Sequence, residues 1–133
     1  GIECEVVPGV SSVTAGPLLA GIPLAGRTTE PAFTALTATR EGGGTIEDFY
    51  VPRTGTLVFV MGASKLVELK DILMKVRKPN EPVALIRNAS LPDMSVYVTN
   101  VSELDSYAGK VRPPLLVIVG NAVKMRDRLW RLA

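Results

Sequence analysis

Thr56-Leu57-Val58-Phe59-Val60-Met61-Gly62-Ala63-Ser64 is the stretch whose reading decides the fold. Residues 57–61 are apolar without a break, and Val58, Phe59 and Val60 suit a pleated backbone. The lack of polar alternation predicts a strand covered on both faces. Gly62 ends it, and Ser64 is placed to cap a helix with its hydroxyl. Leu66, Leu69, Leu73 and Val76 then recur at helical spacing, with Lys65, Lys70, Asp71 and Lys75 among the solvent-facing positions. A buried strand, a small-residue turn and an amphipathic helix form one unit of an α/β layer fold.

Downstream, Lys78-Pro79-Asn80-Glu81-Pro82 reads as a turn and residues 83–86 as a second buried strand. Leu91-Pro92-Asp93 turns the chain, and residues 95–99 alternate as a strand. The link between Ile86 and Val96 is too short for a crossover helix, so these strands are expected to be antiparallel neighbours. Asn100 followed by Glu103 makes a capping-box-like start for a helix to Tyr107. Pro113-Pro114 precedes the apolar strand at residues 115–119, which Gly120 closes, and residues 123–132 read as a basic amphipathic helix.

Upstream, residues 33–39 alternate weakly, as an edge or half-buried strand does. Gly42-Gly43-Gly44 is a loop, and residues 45–50 start a short helix. Glu5-Val6-Val7 reads as the end of a strand and Pro8-Gly9 as a turn. Ser11 or Ser12 caps a helix toward Ala20 that Pro17 must kink or split, with Gly21 as its stop. The fold class expected is α/β, with a mixed (parallel and antiparallel) five-stranded sheet flanked by helices.

Composition narrows the function. A chain of 133 residues, 47% hydrophobic and 21% charged, suits a single globular domain. A net charge of +2 argues against a protein built to neutralise nucleic-acid phosphates. The single cysteine, Cys4, excludes an intrachain disulfide. With no histidine, neither an ordinary zinc cluster nor a Ser-His-Asp or Cys-His nucleophile can be assembled within the chain. No apolar run approaches the roughly 18 residues of a membrane span, and Gly1-Ile2-Glu3-Cys4-Glu5 is not a signal peptide. A cytoplasmic location is expected, with neither membrane nor nucleic acid as partner. The first residue is not Met and the chain opens in a strand-like run, so it is expected to be part of a longer protein.

Ligands of open α/β sheets bind beyond strand ends, where the chain turns. Small-residue turns occupy such places at Pro8-Gly9-Val10-Ser11-Ser12, Met61-Gly62-Ala63-Ser64, Asn88-Ala89-Ser90 and Gly120-Asn121-Ala122. Small residues let a ligand approach main-chain amides and carbonyls, and Met61 offers a soft contact to a flat ring. Strand–helix turns also need small residues without any ligand. No turn carries a phosphate-cradling Gly-x-Gly-x-x-Gly or Gly-Lys-Ser/Thr pattern. Arg27, Arg40 and Arg53 lie in irregular segments, where Arg can pair with carboxylates or simply be solvated. Lys124, Arg126, Arg128 and Arg131 beside Trp130 read as a solvated face or a packing anchor. The acidic residues form no obvious catalytic pair.

Val6-Val7-Pro8-Gly9-Val10-Ser11-Ser12, then Ala20-Gly21-Ile22-Pro23-Leu24, then Thr56-Leu57-Val58-Phe59-Val60-Met61-Gly62, then Leu91-Pro92-Asp93 and Pro113-Pro114-Leu115-Leu116-Val117-Ile118-Val119-Gly120 occur in this order. Together they resemble the second domain of the tetrapyrrole (corrin/porphyrin) methyltransferases. The Gly-Ile-Pro-Leu segment, the middle-loop length and the Leu-Pro-Asp turn resemble the uroporphyrinogen-III C-methyltransferase branch most. The resemblance implies the C-terminal half of a two-domain methyltransferase whose N-terminal domain, with its Gly-rich loop, is absent. It implies S-adenosylmethionine as cofactor and S-adenosylhomocysteine as product, in a cleft between the domains. It implies uroporphyrinogen III as tetrapyrrole substrate, precorrin-2 as product on the route to sirohaem and cobalamin, and a homodimer. Position by position, Ser11 and Ser12 match the cofactor-contacting pair, Met61 the Met closing the hallmark strand, and Ala89 a small residue near the adenine. Arg27 is all that remains of a Thr-His-Arg motif at residues 25–27 and is carried over as a substrate contact, with no catalytic residue in this half. Thr37-Ala38-Thr39 stands where relatives commonly have Thr-Gly-His. Two other readings stay open: a sister enzyme acting on a later corrin precursor or a protein side chain, and a non-catalytic dimerisation or docking module.

Overall fold

The computed structural model describes residues 1–129. Five strands, β1 Phe33–Thr37, β2 Thr56–Val60, β3 Pro82–Arg87, β4 Ser95–Asn100 and β5 Leu115–Val119, form one sheet in the order β1-β2-β5-β3-β4. β1 runs parallel to β2, whereas β5 is antiparallel to both β2 and β3, and β3 to β4. The mixed sheet and the β3–β4 hairpin therefore match expectation. The last strand takes the centre, and every residue of β5 is buried, as its unbroken Leu-Leu-Val-Ile-Val run demands.

Strand residues alternate between two cores. Leu57, Phe59, Val83, Leu85, Val117 and Val119 face α2 (Leu66–Val76), which contributes Leu66, Leu69 and Leu73. Val101 and Leu104, from the 3-10 turn Val101–Tyr107, complete that layer. Val58, Ala84, Ile86, Leu116 and Ile118 point the other way, against Ala20, Ile22, Ala122 and Val123. Each fully buried large aliphatic contributes about 1.5–3 kcal/mol by leaving water, so the two layers hold the strand ends in register.

On the second face α1 (Ser12–Leu19) is capped by Ser11, whose Oγ accepts from the Val13 amide at 3.2 Å. Pro17 is accommodated within the helix, which runs on to Leu19. It ends in a Schellman motif: the Gly21 amide donates to Leu18 O at 3.0 Å, that of Ile22 to Pro17 O at 2.8 Å, and Gly21 takes φ 70°. Gly16 lets the helix lie directly on β5, since a Cβ there would stand 2.2 Å from Leu116 Cδ1.

Four local expectations are corrected. Glu5-Val6-Val7 form no strand: residues 1–10 lack regular structure, and Val6 and Val7 are exposed, with no neighbouring strand among the described residues to complete a ladder. The cap of α2 is Lys65 and not Ser64, because the Lys65 amide closes a turn onto Gly62 O at 3.0 Å and delays the helix by one residue. Asn100 does cap, accepting from the Glu103 amide at 3.2 Å, but the segment winds as a 3-10 turn. The tail is a 3-10 turn, Asn121–Met125, followed by α3 (Arg126–Leu129); Trp130, Arg131 and Leu132 lie outside the described residues.

One buried cation ties the far end of α2 to the sheet. The Arg77 side chain is 2% exposed. Its Nε donates to Glu81 Oε2 at 2.9 Å, Nη1 to Pro52 O at 3.0 Å and Nη2 to Gly55 O at 2.8 Å, with a further bond from Nη2 to Glu81 Oε1. The guanidinium thus clamps the turn that feeds β2. Arg77→Met leaves the Glu81 carboxylate and two carbonyls unpaired, and urea unfolding should show a loss of about 3–5 kcal/mol. Arg77→Lys, which lacks the planar fork, should fall between the two; equal stability of all three proteins would contradict the clamp.

Candidate functional site

A cavity of about 600 Å³ opens beyond the carboxyl ends of β2 and β3 and the amino end of β5. The antiparallel course of β5 creates this meeting: its first residues, Leu115 and Leu116, pair with Arg87 and Ile86 at the end of β3. Ser12, Met61 and Ala89 all line the cavity. Three expected contacts from three distant turns thus share one surface. Ser11 is set back from it, its hydroxyl engaged in capping α1.

The turn after β2 is sharply folded. Met61 takes φ 56°, in the left-handed region that a non-glycine side chain adopts only under constraint. Its carbonyl accepts from Thr39 Oγ1 at 3.0 Å, which holds the turn against the end of β1. Gly62 packs so closely on β5 that a Cβ would come within 2.8 Å of Val117 Cγ2. Met61 is 59% exposed at the cavity wall.

The turn after β3 is bent in the same sense. Asn88 has φ 50° and Ser90 φ 72°, flanking Ala89. Buried Asn88 donates through Nδ2 to Asp93 Oδ2 at 2.7 Å, and Arg87 Nη1 reaches the same oxygen at 3.2 Å. The remaining walls are largely apolar: Val60, Ile86, Leu91, Leu115, Leu116 and the cis-linked Pro113-Pro114. Among the lining residues only Ser12, Thr39, Ser64 and Asn88 carry polar side chains, and none is ionisable near neutral pH. Such a wall can take one face of a flat heterocycle and bond its edges through main-chain atoms.

Other candidates fall elsewhere. The turn Gly120-Asn121-Ala122 lies at the opposite end of the sheet, because β5 runs against β2; the Gly120 amide donates to Pro82 O, at the start of β3. Arg53 borders a polar depression at that end, with Lys75, Lys78 and Lys124. Arg40 is spent within its loop, bonded to Glu47 at 2.5 Å and lying over the Tyr50 ring; that contact holds the Glu47 carboxyl below its ordinary range and raises the guanidinium further. Arg27 is exposed in the turn where the Gly26 amide bonds Glu30 O, outside the cavity lining. Thr39 entered the sequence reading within Thr37-Ala38-Thr39, as a departure from the relatives' motif, and not as a contact. Its position just past β1, parallel to the strand that leads into Met61, is the signal that could have found it.

The Asp93 carboxyl is held below the usual aspartate range, first by the Asn88 amide and then by Arg87, both opposing its partial desolvation. Its folded-state value is depressed, so its contribution to stability is complete above the unfolded-state pKa and is lost as pH falls through the lower folded value. A carboxyl-carbon NMR titration should place the Asp93 midpoint below that of an unstructured aspartate, and Asn88→Ala should move it back up. An unshifted midpoint in the parent protein would exclude the bond.

The profile of the Tetrapyrrole (Corrin/Porphyrin) Methylases matches residues 1–105. An S-adenosyl-L-methionine-dependent uroporphyrinogen III methyltransferase of Methanosarcina barkeri is 36% identical, over 96% of this chain and 53% of its own length. A siroheme synthase of Actinobacillus pleuropneumoniae is 36% identical, over 97% of this chain and 27% of its own. The crystal structure of uroporphyrin-III C-methyltransferase from Thermus thermophilus, complexed with S-adenosyl homocysteine, superposes with a TM-score of 0.83 at 34% identity, covering 93% of this chain and 53% of that one. The chain therefore spans about a quarter to a half of the relatives it matches. The ordered motifs, a shared mixed sheet and a profile match over most of its length lead to one statement: the chain belongs to the tetrapyrrole methylase family.

Proposed function

We propose that this chain forms one wall of the cofactor and substrate cleft of an S-adenosylmethionine-dependent C-methyltransferase acting on uroporphyrinogen III. The observation that carries the reading is the convergence of Ser12, Met61 and Ala89 on one apolar cavity rimmed by turns of small residues. The residues fit the cofactor: bent main chain at Met61 and Ala89 is accessible to a purine edge, and Met61 and Leu116 supply apolar surface for its ring. Ser11 acts indirectly, by capping the helix that carries Ser12.

Bound S-adenosylmethionine supplies an activated methyl group, and the product is S-adenosylhomocysteine. The wall's own task is alignment and exclusion of water. An in-line displacement by an electron-rich pyrrole carbon depends on near-attack geometry, and a dry site favours loss of the sulfonium charge. The lack of ionisable groups in the lining assigns removal of the ring proton to groups outside this wall. Arg27, exposed and outside the cavity, is assigned to the substrate side, where its guanidinium suits the carboxylates of a tetrapyrrole.

On this reading the opposite wall comes from a first domain of the same polypeptide, the working protein is a cytoplasmic homodimer, and the product is precorrin-2. Exposed Val6, Val7, Val10 and Leu18 beside the cavity-lining helix favour an apolar covering surface of that kind. The wall alone is inactive. Calorimetric titration should find weak or no binding of S-adenosylhomocysteine to residues 1–133, and stoichiometric binding to the full-length protein, which should methylate uroporphyrinogen III. Tight binding by the isolated chain would contradict the divided site, and full-length protein inert toward uroporphyrinogen III would contradict the substrate.

A further inference from the structure

We infer that Asp93 is a positioning residue that sets cofactor affinity by locking the Asn88-Ala89-Ser90 turn in its left-handed form. The inference rests on the function proposed above and adds a residue that lies outside the cavity lining. Two non-glycine residues on either side of Ala89 sit at positive φ, 50° at Asn88 and 72° at Ser90. Each such residue stays there only where its surroundings impose it. Asn tolerates the left-handed region better than most residues, Ser less well. The main chain supplies part of the restraint: the Asn88 amide reaches Pro114 O at 3.4 Å, and the Leu91 amide bonds Asn88 O at 3.0 Å.

The remaining restraint comes from the carboxylate. Asn88 is buried, and its Nδ2 makes one short bond, 2.7 Å, to Asp93 Oδ2. The Met94 amide bonds Leu91 O at 3.0 Å, closing the turn that returns Asp93 to Asn88. Arg87, the last residue of β3, holds the same carboxylate oxygen from the strand side at 3.2 Å. Asp93 therefore bridges the end of one strand and the residue preceding Ala89, which lines the cavity. Without the carboxylate, Asn88 loses its acceptor and the turn is free to relax toward negative φ, carrying the Ala89 carbonyl and amide away from a bound ligand.

The test is steady-state kinetics of the full-length protein, with S-adenosylmethionine varied at saturating uroporphyrinogen III. Asp93→Leu should raise the KM for S-adenosylmethionine about tenfold, the scale of one charge-assisted hydrogen bond, and leave kcat within about twofold. Asp93→Asn keeps an oxygen for Asn88 and should stay within about threefold of the parent KM. Glycine accepts φ 50° without strain, so in an Asn88→Gly background the same Asp93→Leu change should raise KM by less than about twofold. A purely structural role would lower kcat through the folded fraction and leave KM unchanged, and that result overturns the inference. A tenfold rise that persists in the Asn88→Gly background also overturns it. Should Asp93→Leu not fold, Asp93→Ala removes the acceptor instead and carries the same prediction for KM. If the parent protein itself transfers no methyl group, the proposed function fails, whatever the variants do.

Discussion

The placement of β5 between β2 and β3 governs everything else in this molecule. Its five residues are buried on both faces and hydrogen-bonded on both edges. Because it is antiparallel to both neighbours, its entry lies beside their exits. That single relation gathers Met61, Ala89 and Pro114 at one end of the sheet and sends Gly120 and the exposed cations around Arg53 to the other. The chemistry of the two ends separates accordingly: an apolar hollow with bent main chain on one side, a charged depression on the other.

Much of this was legible in the sequence because it depends on patterns that local physics enforces. Unbroken apolar runs at residues 57–60 and 115–119 are typical of covered strands, and the short link between Ile86 and Val96 leaves no room for a crossover helix. The cap at Ser11 and the glycine stop at Gly21 follow from unsatisfied amides and carbonyls at helix ends. Of the residues singled out as contacts, the fold brings Ser12, Met61 and Ala89 to one cavity. Only ordered resemblance singled those residues out from other small-residue turns, since composition there serves turns and ligands alike.

What escaped depends on contacts between distant segments. Nothing local marks Arg77 as buried, because the carbonyls it satisfies come from residues 52 and 55. Nothing local shows that Thr39 bonds Met61, a partner 22 positions away. Val6 and Val7 were misread for the converse reason: their β-branched pattern states a preference, but a strand exists only where another backbone completes its ladder. Ser64 was misplaced by one residue, because a tight turn onto Gly62 took precedence over its capping chemistry.

The contact between Gly16 and Leu116 has a wider consequence. Leu116 floors the hollow with one surface and fills the notch left by the missing Cβ of Gly16 with another. Floor and helix are therefore a single mechanical part with no slack between them. Trimming Leu116 to admit a bulkier guest would also unseat the helix that carries Ser12, and a heavier side chain at position 16 would shrink the chamber. The dimensions of this chamber cannot drift one residue at a time; they change only through paired replacements on helix and strand.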